Sequence, residues 1–489
     1  MSIQRTYRTS LALLTDLYQL TMANGYFRAG VFDQEAVFHL FFRKNPFAGG
    51  FAVAAGLEHA IELLQQLSFD ESDLAYLSTV TGNDGQPIFA PDFLARLGAM
   101  RFSADVDAVP EGTIVFPNEP LLRIKGPIAE CQLLETALLT LINFETLVAT
   151  KAARVVLAAG SDPVLEFGLR RAQGVDGALS ASRAAYIGGV AATSNVLAGK
   201  LYGIPVRGTH AHAFVMYFDG ELEAFREYAA AMPNNCVFLV DTYDTISGVK
   251  HAIQVGQELR ARGHKLAGIR LDSGDLAYLS IEARKLLDEA GFPEAAIVAS
   301  NDLDEGIITS LKSQGAQIGI WGVGTKLVTA YDQPALGGVY KLGAVRGEDG
   351  AWKPRIKLSE QAAKVSTPGV QNVRRYLRGG EYVGDAIWDE ELGVGSPARI
   401  VDPLDTNREK QLPLDASHED LLVPVFRAGK RVYPVEPLSA ARQRKEVQLQ
   451  RFHAGIKRFL NPHQYPVGLE LGLSRARTEL IRKARGLNP

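Results

Sequence analysis

Cysteine is scarce in this sequence, which has only Cys131 and Cys236 among its 489 residues. Two thiols cannot build a disulfide framework or a four-thiolate zinc site, and both lie in apolar runs where buried thiols are common. The chain also lacks any uninterrupted run of about 18 apolar residues, and its N-terminus lacks the pattern of a signal peptide. We therefore expect a cytoplasmic protein that is neither secreted nor inserted in a membrane.

A bias of charge is also absent, because 52 basic and 55 acidic side chains give a formal net charge of −3. No field of one sign favours a nucleic acid or an anionic membrane surface as a partner. Hydrophobic residues make up 46% of the chain, which is typical of a folded globular protein. Since single cores stop growing near roughly 250–300 residues, we expect two or more packed units.

The hydrophobic spacing predicts an α/β protein with two kinds of sheet. The segment that begins at Ser10 has helical spacing and is expected to end at Gly25. Residues 1–131 and 351–435 are predicted to form a discontinuous α/β domain on an antiparallel sheet. Residues 132–350 alternate helices with short apolar strands, which favours a parallel sheet closed into an irregular α/β barrel. Residues 436–489 are predicted to be a basic helical extension. The predicted barrel strands are PVLEFG, IPVRGT, VFLVDT, LAGIRLDSG, AIVASND, IGIWGVGT and GGVYKL.

Two histidines follow one predicted barrel strand in the motif GTHAHAF. In an extended segment His210 and His212 would point to the same side, because side chains alternate. This arrangement is compatible with a zinc pair, with catalysis or with structural histidines. Further histidines at strand ends are missing, so the sequence leaves these three interpretations open.

Arginines, acidic residues and glycines follow the other strands. The turn RLDSGD carries Arg270, Asp272 and Asp275 and suits a phosphate or a hydrated Mg²⁺, although Asp272 or Ser273 could instead cap the next helix. In EFGLRRAQG, Phe167, Arg170 and Arg171 could stack on a ring and pair with an anion. The glycine loop of WGVGTKL lets a phosphate approach backbone amides. Because the strand ends of a barrel meet on one face, these residues predict one site for a phosphorylated ligand.

The ordered series LTDLYQLTMA, EFGLRRAQG, GTHAHAF, RLDSGD and GVGTKL resembles the nicotinate phosphoribosyltransferase family. The resemblance implies the type II phosphoribosyltransferase fold, in which an α/β sandwich domain packs on an irregular α/β barrel. It also implies a homodimer with shared active sites. The activity implied is ATP-dependent, ligase-type condensation of nicotinate with phosphoribosyl pyrophosphate to nicotinate mononucleotide and diphosphate, the first step of NAD salvage from nicotinate, with Mg²⁺ as cofactor.

The same resemblance implies a role for each residue that matches a motif. Phe167 and Tyr18 of the partner subunit would sandwich the pyridine ring, and Arg170 and Arg270 would neutralise the substrate carboxylate or the diphosphate. Asp272 would orient the ribose or a Mg²⁺ ion, with no cage of protein ligands for the metal. Phosphate oxygens would be held by Gly322, Gly324 and Thr325. Thr209 would line the site and mark His212 as the histidine phosphorylated by ATP, whereas His210 is secondary.

Substrate choice is predicted from one further position. The sister enzyme that uses nicotinamide has an aspartate where this chain has Ser194, within AATSNVLAG. A carboxylate would repel nicotinate, whereas a hydroxyl can donate to it. Other interpretations are the nicotinamide-using enzyme itself, a metal-dependent barrel hydrolase that uses His210 and His212, and a non-catalytic relative.

Overall fold

The structure is a computed structural model that describes residues 11–487. Helices and strands alternate through this range, and no helix in it is long and apolar enough to cross a membrane. The helices are α1 Leu17–Arg28, α2 Leu57–Gln66, α3 Glu71–Leu77, α4 Pro91–Ala99, α5 Ile128–Leu133, α6 Glu135–Ala159, α7 Gly174–Ile187, α8 Val196–Tyr202, α9 His212–Tyr217, α10 Glu221–Ala231, α11 Thr245–Ala261, α12 Leu276–Glu289, α13 Glu305–Ser313, α14 Thr325–Val328, α15 Leu438–Arg451 and α16 Leu471–Ala484.

The strands are β1 Glu35–Phe42, β2 Ala52–Val53, β3 Asp105–Ala108, β4 Ile114–Val115, β5 Leu122–Pro127, β6 Val164–Glu166, β7 Ala192–Thr193, β8 Val237–Leu239, β9 Gly268–Leu271, β10 Ala296–Ala299, β11 Ile320–Val323, β12 Gly338–Arg346, β13 Trp352–Pro354, β14 Gln371–Arg378, β15 Glu381–Asp389, β16 Arg399–Val401, β17 Glu409–Gln411, β18 Ser417–Asp420, β19 Val423–Arg427, β20 Lys430–Arg431 and β21 Val467–Glu470. They belong to two compact units. Among the described residues, unit 1 comprises 11–146, 335–437 and 446–487, and unit 2 comprises 147–334 and 438–445.

Unit 1 contains a seven-stranded sheet in the order β13-β12-β1-β5-β3-β19-β20. Every pairing in it is antiparallel. The strand β1, with the sequence EAVFHLFF, is buried at every position after its first, which explains why its apolar residues run on without alternating. A cluster that includes Phe69, Phe89 and Phe93 forms an apolar core among the helices α1, α3 and α4.

A six-stranded sheet also lies in unit 1, in the order β17-β16-β21-β15-β14-β18. Its central hairpin joins β14 to β15 through Gly379 and Gly380, whose φ values of 60° and 85° suit the two-residue turn of a tight hairpin. The strand β21 lies between β15 and β16, so the C-terminal part of the chain is a central part of this sheet.

Unit 2 is built on a six-stranded parallel sheet in the order β7-β6-β11-β10-β9-β8. A parallel bridge between Thr193 and Val206 continues the sheet beyond β7. The same segment then reaches the opposite edge, where Leu239 N of β8 donates to Nε2 of His210 over 3.2 Å. The segment from Val206 to His210 therefore contacts both edges of the sheet, an arrangement compatible with an irregular barrel. The predicted fold class is therefore confirmed.

Several predicted bounds differ from those of the structure. The run GGVYKL is not a barrel strand, because it begins β12 and pairs antiparallel with β1 in unit 1. Residues 446–487 are not a separate extension, since β21 is hydrogen-bonded inside a unit 1 sheet. The run IPVRGT contributes one bridge rather than a full strand. The first helix begins at Leu17 after the N-cap Asp16 and continues past Gly25 to Arg28, while the predicted cap Ser10 lies outside the described residues.

Candidate active site

A pocket of about 530 Å³ opens where the parallel strands of unit 2 end. Its lining residues follow successive strands, as expected when the carboxyl ends of parallel strands converge on one face. They are Phe167, Arg170 and Arg171 after β6, Ser194 after β7, Gly208 to His212 in the closing segment, Arg270 and Asp272 at β9, Ser300 to Asp302 after β10, and Gly322, Gly324 and Thr325 at β11. The structure thus brings together every predicted site residue of unit 2.

Tyr18 is the predicted site residue that lies in unit 1. It is 48% exposed on α1, beside the equally exposed Leu17. Partial burial and the nearby carboxylates of Glu135 and Asp16 raise the pKa of its hydroxyl, so Tyr18 is a neutral, half-exposed ring. Its role as a residue supplied by a partner subunit stays a prediction.

The ring of Phe167 lies against a glycine of the neighbouring strand. A Cβ atom on Gly322 would stand 2.8 Å and 2.9 Å from two ring carbons of Phe167, closer than real Cβ contacts allow. Gly324 has a similar relation to the Phe167 backbone, because a Cβ there would stand 3.2 Å from its carbonyl oxygen. The glycines of the predicted phosphate loop therefore also leave the space that Phe167 occupies.

Glu166 is a fully buried carboxylate beneath this part of the pocket. It accepts hydrogen bonds from Ser182 Oγ at 2.8 Å, from Thr193 Oγ1 at 2.5 Å and from the backbone N–H of Gly168. These bonds join the ends of β6 and β7, from which Phe167 and Ser194 extend. Glu166 was not predicted as a site residue, although an acidic residue at the end of the apolar run PVLE is a signal that could have identified it.

Arg270 and Asp272 form a polar wall of the pocket. Arg270 donates to Thr209 Oγ1 at 2.6 Å and lies 3.4 Å from Asp272 Oδ1, while its buried Nε has no hydrogen-bond partner among the described residues. Asp272 also accepts a hydrogen bond from Ser300 Oγ. The exposed side chains of Arg170 and Arg171 add two cations that form no ion pair with another described residue. This side of the pocket can therefore bind a polyanion.

His212 begins α9 and is partly exposed to the pocket. Its Nδ1 lies 3.2 Å from Thr242 Oγ1, and its Nε2 lies 3.8 Å from Asp272 Oδ2 and 4.0 Å from Asp241 Oδ1. Both carboxylates stand near Nε2 at more than hydrogen-bond distance. The imidazole is therefore held at one nitrogen and available at the other.

Asp241 is a further residue that the sequence analysis missed. Its side chain is 1% exposed, and Oδ2 accepts hydrogen bonds from Asp272 N at 2.9 Å and Ser273 Oγ at 2.6 Å. Oδ1, the atom nearest His212, has no hydrogen-bond partner among the described residues. The residue follows β8 in VFLVDT, and because Leu239 pairs with Arg270, Asp241 lies level with Asp272 on the neighbouring strand.

His210 and His212 both line the pocket, as expected, but their rings have different surroundings. Ala211 between them has an extended backbone, and α9 begins at His212. The His210 ring packs 4.9 Å from the Tyr228 ring, and burial lowers its pKa to about 4. Its Nε2 accepts the N–H of Leu239, so this nitrogen is not free to bind a metal. Within residues 11–487, no group of three or more His, Cys, Asp and Glu side chains could hold an ion. The hydrolase interpretation therefore loses its histidine pair.

The turn after β9 also differs in detail from the two interpretations of the sequence. Asp275, and neither Asp272 nor Ser273, caps α12, because its Oδ1 accepts a hydrogen bond from Tyr278 N at 3.1 Å. Asp272 is thus left to face the pocket. Across from it, Asn301 and Asp302 have φ values of 104° and 43°. Such backbone costs about 1–3 kcal/mol per residue and is concentrated at functional sites.

Comparison with known proteins places this geometry in a family. The nicotinate phosphoribosyltransferase N-terminal domain model matches residues 13–143, and the C-terminal domain model matches residues 371–477. The chain is 47% identical to a nicotinate phosphoribosyltransferase of Bacillus subtilis over 467 residues, covering 94% of this chain and 93% of that protein. It is 37% identical to the human nicotinate phosphoribosyltransferase over 517 residues, covering 94% of each chain.

Solved structures agree with the sequence comparisons. The crystal structure of human nicotinic acid phosphoribosyltransferase superposes with a TM-score of 0.84 at 34% identity, covering 96% of this chain and 100% of that one. A nicotinate-nucleotide pyrophosphorylase of Pyrococcus furiosus superposes with a TM-score of 0.68 at 22% identity, covering 90% and 96%, and shows the shared fold alone. From the two domain models and the identity along nearly the whole chain, it follows that this protein belongs to the nicotinate phosphoribosyltransferase family.

Proposed function

We propose that the unit 2 pocket condenses nicotinate with phosphoribosyl pyrophosphate to give nicotinate mononucleotide and diphosphate, assisted by ATP through a phosphorylated His212. The observation that carries this proposal is the pocket itself, in which an aromatic ring, a polyanion-binding wall and an available imidazole lie together. In the cell this reaction would begin NAD salvage from nicotinate.

Nicotinate would lie with its ring on Phe167, since Gly322 leaves the aromatic side chain against the barrel wall. Its carboxylate would meet Arg170 and the hydroxyl of Ser194, whose backbone N–H is anchored to Glu166 O at 2.9 Å. Unlike the aspartate of the nicotinamide-using enzyme, this hydroxyl does not repel the carboxylate of nicotinate and can donate to it. We further propose a homodimer in which Tyr18 of the partner subunit covers the other face of the ring.

The reaction forms a bond from the pyridine nitrogen to C1 of the ribose and breaks the bond from C1 to the diphosphate oxygen. Positive charge develops on the sugar while negative charge collects on the leaving diphosphate. The phosphate oxygens would be bound by the backbone of Gly322 to Thr325 and by Arg270, whose Nε has no hydrogen-bond partner among the described residues. Holding the pyridine nitrogen in line with C1 supplies the rest of the acceleration, because a poor nucleophile gains most from orientation.

The residues present fit a Mg²⁺ ion that enters with the diphosphate. Mg²⁺ is usually bound by one or two carboxylates together with substrate phosphates. The side chain of Asp272 is 31% exposed to the pocket, and Oδ1 of Asp241 nearby lacks a hydrogen-bond partner within the described range. When bound, the ion would neutralise charge on the leaving group.

His212 is suited to accept a phosphoryl group at Nε2. If Nδ1 carries the proton and donates to Thr242 Oγ1, Nε2 has a free lone pair. Attack of Nε2 on the γ-phosphorus of ATP would break the bond to the β–γ bridging oxygen and release ADP. Water would later cleave the new nitrogen–phosphorus bond, and this hydrolysis would favour the condensation.

The test is to measure nicotinate mononucleotide and diphosphate formation with and without ATP, with nicotinamide as a parallel substrate. We expect product from nicotinate only and a faster reaction with ATP. His212→Ala should retain a slow reaction that ATP no longer stimulates. His264→Ala, outside the pocket, is the matched control and should behave as the unaltered protein does. Undiminished stimulation by ATP in His212→Ala would contradict the phosphohistidine, and absence of product from nicotinate would contradict the reaction.

A further inference from the structure

Two neighbouring loops of the unit 2 pocket follow the paired strands β10 and β11. The loop after β10 contributes Asn301 and Asp302 to the pocket lining, and the loop after β11 contributes Gly324 and Thr325. Asn301 and Asp302 have positive φ, a conformation that costs free energy in residues other than glycine. Contacts outside the pocket must therefore hold these loops in place.

An ion pair joins the two loops. Lys326 directly follows Thr325, and Asp304 lies two residues after Asp302. Nζ of Lys326 lies 2.6 Å from Oδ2 of Asp304. The two side chains are 23% and 16% exposed, and neither lines the pocket. Oδ1 of Asp304 accepts the N–H of Ile307 at 2.7 Å, so the same carboxylate also caps α13.

The positive charge of Lys326 is offset within the protein. Its hydrogen bond to Asp304 is the main cause that raises the pKa of the ammonium group, and the charges of Asp332 and Asp302 act in the same direction. Attraction to a substrate phosphate must compete with these nearby carboxylates. Lys326 is therefore better suited to hold a loop than to bind a phosphate.

The same two segments are joined a second time through a buried lysine. Lys151 of α6 is fully buried, and its Nζ lies 2.7 Å from Oε2 of Glu305, the first residue of α13. The same Nζ forms an ion pair with Asp332, which follows α14. Nε of Arg154 lies 2.7 Å from Oε1 of Glu305. A buried ion pair is a weak source of stability compared with apolar packing, which suits a role in fixing the geometry of the two loops.

We propose that the ion pair of Asp304 and Lys326 positions the loops after β10 and β11 for the binding of phosphoribosyl pyrophosphate. Both are positioning residues, because they act through the backbone of the loops and do not line the pocket. The inference rests on the proposed function and adds the residues that set the affinity for one of its substrates. The proposed contacts of nicotinate follow β6 and β7, so its binding should not depend on this pair.

Steady-state kinetics with each substrate varied in turn tests the proposal. In Lys326→Met the KM for phosphoribosyl pyrophosphate should rise about tenfold, because a small misplacement of a binding group can cost up to about a hundredfold. The KM for nicotinate should stay unchanged. Asp304→Asn should have the same effect, since asparagine keeps the cap of α13 and removes only the charge. The double variant should be no worse than either single variant, and Lys326→Arg should restore most of the affinity.

Lys312→Met is the matched control. Lys312 lies in the last turn of the same helix, and its Nζ lies 2.7 Å from Oδ2 of Asp162, a residue that precedes β6. This partly exposed ion pair is thus at the end of the sheet opposite to the pocket. Lys312→Met and Lys326→Met should lower the temperature of unfolding by similar amounts, whereas only Lys326→Met should raise the KM for phosphoribosyl pyrophosphate.

Three results would overturn the proposal. An unchanged KM for phosphoribosyl pyrophosphate in Lys326→Met would show that the ion pair has no effect on the loops. An equal rise of both KM values, or a rise in the control, would show a general structural role. Tighter binding of phosphoribosyl pyrophosphate by Asp304→Asn would show that Lys326 is released to bind the substrate directly.

Calorimetric titration with phosphoribosyl pyrophosphate in the absence of nicotinate gives the same comparison without turnover. The dissociation constant should rise about tenfold in Lys326→Met and in Asp304→Asn, and it should not change in Lys312→Met. A protein that shows this pattern but forms no product from nicotinate would support the ion pair and contradict the proposed reaction, so the two failures are distinguishable.

Discussion

Gly322→Ala tests whether the glycine loop positions the Phe167 ring for nicotinate as well as binding a phosphate. The added Cβ would stand 2.8 Å and 2.9 Å from Phe167 ring carbons, so the ring must move. Loss of a well-placed ring contact is worth about 0.5–1.5 kcal/mol, which predicts a roughly two- to tenfold lower kcat/KM for nicotinate. Overpacking should also lower the free energy of unfolding, by about 1–3 kcal/mol.

Steady-state kinetics with varied nicotinate and saturating phosphoribosyl pyrophosphate measures the effect. Gly319→Ala is the matched control, because it precedes the same strand and a Cβ there meets nothing within 4 Å. A double-mutant cycle identifies the cause. In a Phe167→Ala background, Gly322→Ala should have little further effect on nicotinate, since the clashing ring is gone. Equal losses of kcat/KM for nicotinate in both backgrounds would refute the reasoning, because the effect of Gly322→Ala would then not depend on the Phe167 ring. Gly322 would in that case act on the phosphates alone.

Three further predictions concern single side chains. Asp241→Asn removes a charge 4.0 Å from His212 Nε2 with little change of shape. We therefore expect the stimulation by ATP to fall while the slow ATP-independent rate persists. Equal loss of both rates would contradict this expectation. Ser194→Asp should lower kcat/KM for nicotinate at least about tenfold by repulsion, compared with a smaller effect of Ser194→Ala, and unchanged use of nicotinate would disprove the account of selectivity. His210 has a folded pKa of about 4, below its ordinary 6.5, so the unfolded chain takes up the proton first as the pH falls and stability is lost from about pH 6.5 down to pH 4. Urea unfolding measures the free energy of unfolding of the unaltered protein and of His210→Phe. The value for the unaltered protein minus that for the variant should fall by about 2–3 kcal/mol from pH 7 to pH 4.5, and a constant difference would contradict the assignment.

The fold was predictable from the sequence where neighbours in the chain are neighbours in the sheet. The alternation of strands and helices in unit 2 follows this rule, and the parallel order of β9 and β10 confirms it. The run GGVYKL shows where the rule ends, because an apolar run does not reveal its partner strand and β12 pairs with the distant β1. For the same reason β21 could not be placed between β15 and β16.

The site was predictable to the extent that its residues follow strand ends. Phe167 and Asp272 were found because each lies at the end of a predicted strand, whereas Ser194 was found from the family resemblance alone; all three line the pocket. His210 and His212 were both placed at the pocket from their spacing, and both line it. No local pattern in GTHAHAF indicates that the His210 ring packs against Tyr228 and accepts the N–H of Leu239.

Asp241 and Glu166 are two buried residues of the site that were given no role from the sequence. Each carboxylate is almost fully buried, accepts hydrogen bonds from neighbouring N–H and O–H groups, and has no lysine or arginine partner among the described residues. Oδ1 of Asp241 has no hydrogen-bond partner within the same range. Burying a charge in this way costs free energy that an apolar residue would not, so such groups are poor choices for stability alone. Both lie directly behind residues that face the pocket, Asp241 behind Asp272 and Glu166 behind Phe167 and Ser194. Their hydrogen bonds fix the backbone from which the ligand-facing side chains extend, which explains why an acidic residue ends β6 and another follows β8 by two residues.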